Sequence, residues 1–114
     1  MRRVEKPWGY ELVWAETDRY VGKVLFIRQG CKLSRQYHRV KDETLFVEAG
    51  AMDLEIGPPA ELRTLRMQPG DVFHVTPGTI HRMIAIEDVR VFEASTPELD
   101  DVVRLEDDYG RESS

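Results

Sequence analysis

The feature that most constrains this chain is the spacing of its breaks. Runs rich in Val, Ile, Leu and Phe recur along nearly its whole length, and Gly, Pro and Asp separate them at short, regular intervals. The runs are "YELVWAE", "VGKVLFIRQ", "LSRQYH", "ETLFVEA", "AMDLEI", "LRTLRM", "DVFHVT", "IHRMIAI" and "VRVFEAS". Read as strands, they predict an all-β sandwich or barrel. "MDLEI" alternates, so that Met52, Leu54 and Ile56 face one side and Asp53 and Glu55 the other. "TLFV" and "MIAI" are apolar on both faces, which predicts a sheet covered by something besides its own core, and hence a homodimer.

A length of 114 residues suits one domain spanning 1–114, large enough to bury a core without disulfides. Hydrophobic residues make up 41% and charged residues 32%, with both signs dispersed, the balance of a soluble globular chain. A formal charge of −5 argues against a nucleic-acid partner. The opening "MRRVEKPWGYELVW" lacks the apolar core of a signal peptide, and no stretch approaches membrane-spanning length, so no membrane partner and a cytoplasmic location are expected. Cys31 is the single cysteine and reads as a small, half-buried hydrophobe. Only the tail "PELDDVVRLEDDYGRESS" breaks the strand pattern. It fits either a short helical turn or an extended docking segment, with a frayed "RESS" at its end.

The stretch "SRQYHRVKDETLFVEAG" concentrates the chemistry. Residues two apart share a face of a strand, so Gln36 and His38 point the same way; "RVKD" turns the chain, Glu43 opens the next strand, and Gly50 is expected to close it in a hairpin turn with Ala49 and Ala51. A second segment repeats this grammar from Gly70 to "TPGTIH", ending at His81. These separations resemble the two motifs of the cupin superfamily, with Gln36 in place of the first histidine, Thr76 where proline is usual and Ala85 where asparagine is usual. "VEKPWGYE", "LSRQYH", "PGTIHR" and "DDVVRLEDDYGR" are similar, more narrowly, to the cupin domain of type II mannose-6-phosphate isomerases. In many bacteria that domain is fused behind a mannose-1-phosphate guanylyltransferase. In "RVKDE", Lys41 stands where that family has an arginine.

The resemblance implies a double-stranded β-helix, or jelly-roll barrel, with Gln36, His38, Glu43 and His81 holding one divalent transition metal ion. Two imidazoles, a carboxylate and an amide oxygen suit Zn, Mn, Fe, Co or Ni. Against this stands a hydrogen-bonded polar cluster in a β core. Four ligands on an octahedral ion leave two positions for adjacent oxygens of a hydroxy-carbonyl sugar. The implied activity is therefore an aldose–ketose isomerase acting on a phosphosugar of the mannose 6-phosphate/fructose 6-phosphate type through an enediolate. Lys41 and Arg82 flank the ligands and are candidates to hold the phosphate, or else solvated surface charges. Glu93, His74 or a hydroxide on the ion is a candidate base; His74 also reads as a partly buried structural histidine. Two other functions remain open, a non-catalytic cupin that binds a sugar or sugar phosphate and an iron-dependent oxygenase.

Overall fold

The structure, a computed structural model, describes residues 1–111. Its strands are β1 (Arg2–Lys6), β2 (Gly9–Glu16), β3 (Val21–Ile27), β4 (Arg35–Tyr37), β5 (Glu43–Ala49), β6 (Met52–Ile56), β7 (Arg63–Met67), β8 (Val72–Val75), β9 (His81–Ala85), β10 (Val89–Ser95) and β11 (Val103–Glu106). A single turn of 3-10 helix at Pro59–Glu61 is the only helical element among the described residues. No helix there is long and apolar enough to cross a membrane.

The strands form two antiparallel sheets, one of six strands in the order β1-β2-β3-β10-β5-β8 and one of five in the order β11-β4-β9-β6-β7. From β3 onward the chain shuttles between them, apart from β6 and β7, which pair within the five-stranded sheet, and this winds a double-stranded β-helix. The Gly50 turn belongs to this shuttling: β5 and β6 lie in different sheets, so it makes no hairpin. Gly50 has φ 80°, and a Cβ there would sit 2.0 Å from the Asp88 carbonyl oxygen, so both backbone and space demand glycine.

All nine expected strands are present, together with β1 and β11. β1 is a solvated edge strand whose "RRVEK" has one apolar residue. β11 settles the reading of the tail, which is an extended segment that pairs with β4, Val103 opposite Tyr37 and Arg104 opposite Gln36. The expected fraying of "RESS" falls largely on 112–114, outside the described residues.

Alternation fills the space between the sheets. Leu45, Val47, Met52, Leu54 and Val91 are completely buried there, alongside Trp8, Leu25, Ile27, Met67 and Val75. Each such side chain contributes about 1.5–3 kcal/mol, and Leu45→Ala would cost about 2–5 kcal/mol through transfer and cavity terms. The outer face of the six-stranded sheet is also apolar. Phe46 and Phe92 sit 6.0 Å apart, Tyr10 stacks on Phe26 at 4.5 Å, and Val72 and Trp14 are largely exposed. Phe46 of "TLFV" therefore faces solvent in the single chain. "MIAI" presents half-buried Ile84 on the outside of the other sheet, bridged at its backbone by Lys32.

Candidate metal centre

Three strand starts or ends converge at one mouth of the barrel. His38 follows β4, Glu43 opens β5 and His81 opens β9, and all three side chains are buried. His38 Nε2 lies 3.3 Å and His81 Nε2 3.4 Å from Glu43 Oε1, and one ligand atom from each residue falls within 4.8 Å of the others. Gln36 is directly opposite His81 across β4 and β9, so its side chain shares the inner face; its Oε1 accepts a hydrogen bond from Ser34 Oγ at 2.6 Å.

The outward nitrogens of both rings settle the tautomers. His38 Nδ1 is 2.5 Å from the Asp101 carbonyl oxygen and His81 Nδ1 is 2.9 Å from that of Thr79. A carbonyl can only accept, so each Nδ1 carries the proton and each Nε2 presents a lone pair. Both Nε2 atoms are buried without a hydrogen-bond partner, and both face a carboxylate oxygen. Lys41 pairs with Glu43 Oε2 at 3.3 Å, which leaves Glu43 Oε1 and the two inward lone pairs as a donor set for a cation. The same field appears in the acidities. Burial opposes a charge on His38, but Glu43 outweighs it and raises the imidazole above its ordinary value. Burial likewise opposes ionisation of Glu43, yet the neighbouring imidazoles of His38 and His81 and the charge of Lys41 hold its carboxyl well below the usual range. Imidazole and carboxylate donors with backbone-anchored Nδ1–H groups fit a divalent transition metal.

Around these residues lies a narrow cavity of about 90 Å³, lined by Lys6, Glu11, Lys23, Lys41, Glu93 and Arg104 together with apolar groups that include Trp8, Leu25, Leu99 and Val102. Glu93, on β10, points inward. Burial first, and then the charge of Glu43, push its carboxyl up to about 7 against the pull of Lys41 and Lys23. A wider hollow of about 410 Å³ lies elsewhere, between Arg3, Tyr10, Phe26 and Arg90 on the outside of the six-stranded sheet.

Three expectations need correction. Lys41 is not a solvated surface charge: its ammonium is buried beside the cavity, 3.2 Å from Glu93 and 3.3 Å from Glu43, so two carboxylates already use its charge. Arg82 neighbours His81 on a strand and so faces the opposite way. On the outer face it donates from Nε to the Leu33 carbonyl and from Nη2 to Asp108, both at 2.8 Å, and Glu106 lies 3.7 Å from Nη1. His74 is opposite Thr44 on the outer face, more than half exposed, with Nε2 2.6 Å from Asp42 Oδ1. Neither Arg82 nor His74 lines the cavity. The inward charges Lys6, Glu11 and Lys23 escaped the sequence reading, whereas Arg104 and Arg111, among the acids of the terminal segment, read as partners in structural ion pairs, and Arg111 pairs with Asp107 at 2.9 Å. Lys23 was detectable, since it shares its face with Val21, Leu25 and Ile27, a charge in an apolar row.

The model of a family described as "Cupin domain" matches residues 24–94. Mannose-1-phosphate guanylyltransferase ManC of Salmonella typhimurium is 32% identical over 116 residues, covering 96% of this chain and 23% of that protein. Xanthan biosynthesis protein XanB of Xanthomonas campestris is 29% identical over 115 residues, covering 96% and 24% respectively. The chain thus spans about a quarter of the length of these relatives. Among solved structures, KdgF from Halomonas sp. superposes with a TM-score of 0.75 at 24% identity, over 88% of this chain and 91% of that one, a likeness of fold.

Proposed function

The chain belongs to the cupin domain family, and from that premise we propose that it is a metal-dependent isomerase of phosphosugars of the mannose 6-phosphate/fructose 6-phosphate type. The observation that carries this reading is the pair of buried, unpartnered Nε2 atoms aimed at Glu43, each fixed by a backbone carbonyl behind it. His38, Glu43 and His81 would hold the ion, with Gln36 beside His81 as a further oxygen donor. Such an ion supplies Lewis acidity toward a carbonyl and its neighbouring hydroxyl.

The remaining steps belong to the chain. Two inward carboxylates stand outside the three clustered ligands: Glu11 is paired with Lys23 at 3.3 Å, and Glu93, pushed up by burial and by Glu43 to about 7, is assigned the proton that moves between C2 and C1 of the sugar. Lys41, 3.2 Å away, steadies the charged form of Glu93 and separates it from Glu43. Trp8, Leu25, Leu99 and Val102 exclude water from the reacting carbons. Resemblance of "VEKPWGYE", "LSRQYH" and "DDVVRLEDDYGR" to type II mannose-6-phosphate isomerases supports the choice of substrate.

The test is incubation of metal-loaded protein with mannose 6-phosphate in deuterated water. Formation of fructose 6-phosphate with deuterium appearing at C2 is expected. Absence of both across hexose and pentose phosphates refutes the isomerase, and saturable binding of one of them without turnover assigns a sugar-phosphate-binding module instead. Oxygen consumption by the iron-loaded protein would point to an oxygenase.

A further inference from the structure

Three of the four donors implied for the metal centre have an anchor, His38 and His81 in backbone carbonyls and Glu43 in the Lys41 ammonium. The fourth, Gln36, differs in kind, because an amide has an oxygen end that can bind a cation and an N–H2 end that repels one. We propose that Ser34 is the positioning residue that presents the oxygen end of Gln36 to the ion; the inference rests on the metal-binding part of the reading above and not on the isomerase.

Strand parity sets the two side chains on one face. Arg35 lies between them and points to the outer face, where it donates to Glu55 and Glu106 at 3.0 Å each. Ser34, Gln36 and His38 therefore form one inward column, with Gln36 between the hydroxyl and the imidazole. The column is tied to the strand that carries the other imidazole. Leu33 N–H donates to the Met83 carbonyl at 2.9 Å, Arg82 Nε donates to the Leu33 carbonyl at 2.8 Å, and Gln36 is opposite His81. Ser34 is only 1% exposed and does not line the cavity, whereas Gln36 does. The hydroxyl thus acts from behind the amide and touches no ligand of its own.

Hydrogen bonding selects the end of the amide. Ser34 Oγ donates to Gln36 Oε1 at 2.6 Å, so the hydroxyl holds the oxygen and not the nitrogen. A carbonyl oxygen has two lone pairs; Ser34 takes one, and the second remains for a cation. Reversing the amide would turn the hydroxyl from donor to acceptor and leave its proton in need of another acceptor at a buried position. It would also set N–H2 against the charge of the ion. Serine and ion therefore demand the same orientation, and an alanine at 34 would leave the amide free to present either end.

The test is a double-mutant cycle on metal affinity, in which wild type, Ser34→Ala, Gln36→Ala and the double variant are titrated with zinc and with cobalt against a chromogenic chelator. Thermal melts of the metal-free proteins confirm folding. Ser34→Ala should raise Kd about tenfold, as for other groups behind a ligand, and should change it by no more than about twofold once Gln36 is already alanine. In a Gln36→Glu background, where both ends of the side chain are oxygens, Ser34→Ala should again have little effect. The visible bands of cobalt-loaded Ser34→Ala should strengthen toward those of Gln36→Ala, since they gain intensity as the ion loses a ligand. Equal Kd in Ser34→Ala and wild type would overturn the proposal. A tenfold loss that persists with Gln36→Ala or Gln36→Glu would overturn it too, marking Ser34 as a general support of the barrel. A wild type that binds neither metal refutes the metal centre and this inference with it. Metal binding of the expected pattern without isomerase turnover leaves the role of Ser34 standing and refutes only the isomerase.

Discussion

Asp101 offers a sensitive probe of how the metal centre is held. It lies before β11 and reaches back to the loop between β4 and β5. Its Oδ1 accepts the backbone N–H of Arg39 at 3.1 Å, its Oδ2 those of Val40 at 2.7 Å and Lys41 at 2.9 Å, and its carbonyl takes the Nδ1–H of His38. One residue thus fixes both the loop that delivers Lys41 and Glu43 and the tautomer of His38. The backbone N–H groups of Lys41, Val40 and Arg39 lower its carboxyl from the ordinary 3.8 to about 2. At about 1.36 kcal/mol per unit that is a ceiling near 2.5 kcal/mol. Solvent screening of a part-exposed carboxylate reduces it to roughly 1 kcal/mol.

Asp101→Ala should therefore lower the melting temperature at pH 7 by about 4–8 °C. The sign with pH follows from the depressed value. The stabilisation is complete above the unfolded-state pKa near 4 and is lost as pH falls through about 2. The gap between wild type and Asp101→Ala should consequently stay constant from pH 7 to about 5 and close toward pH 2. Metal affinity should fall in the same variant by about 10–100-fold, the usual effect of loosening a group behind a ligand. Calorimetric melts at several pH values and competition with a chromogenic chelator measure both quantities. Equal melting temperatures at pH 7, or a gap that does not change with pH, would refute this account of the loop.

Elemental analysis after mild purification should find about one transition-metal ion per chain; His38→Ala, Glu43→Gln and His81→Ala should each lose most of it, and Gln36→Ala should keep it more weakly. Arg82→Met should cost about 1–3 kcal/mol in chemical denaturation, because it strands the Leu33 carbonyl that Arg82 Nε satisfies, while leaving KM for a sugar phosphate unchanged. The apolar outer face of the six-stranded sheet, with strands about 4.8 Å apart and up to eight residues long, covers roughly 600 Å² before side-chain relief, against about 800 Å² per partner in stable complexes. Wild type should therefore sediment as a dimer and Phe46→Glu/Phe92→Glu as a folded monomer; a monomeric wild type at high concentration would refute self-association through this face.

Much of the fold was legible because alternation and turn residues act locally. "MDLEI" becomes β6 with Met52, Leu54 and Ile56 buried, as its pattern requires. β1 and β11 were not legible as strands because edge strands make few apolar contacts, so "RRVEK" and "VRLE" carry little hydrophobic signal. The candidate ligands His38, Glu43 and His81 could be grouped because their separations resemble the two cupin motifs, and the fold brings them together at strand ends. The phosphate candidates misled because closeness in sequence was taken for closeness in space. Strand parity turns Arg82 away from His81, and the same rule, applied to His74 and Thr44 beside inward Glu43, puts His74 outside. For Lys41 no local rule was available. Its burial depends on Glu93, contributed by a strand 52 residues later.

The charges inside the barrel explain why this end differs from the rest of the core. The inner row of Leu25, Val91 and Val47 gives way one pleat further to Lys23, Glu93 and Leu45, and then to Val21, Ser95 and Glu43. Apolar residues in those places would stabilise the domain more, since buried ion pairs seldom recover their desolvation cost. The chain nevertheless balances each of them: Lys23 against Glu11, and Lys41 against Glu43 and Glu93. At the mouth of the barrel the inward nitrogens of His38 and His81 are buried without a hydrogen-bond partner. With Glu43 between them they form a donor set suited to a cation, which is what the polar end of this core is arranged around.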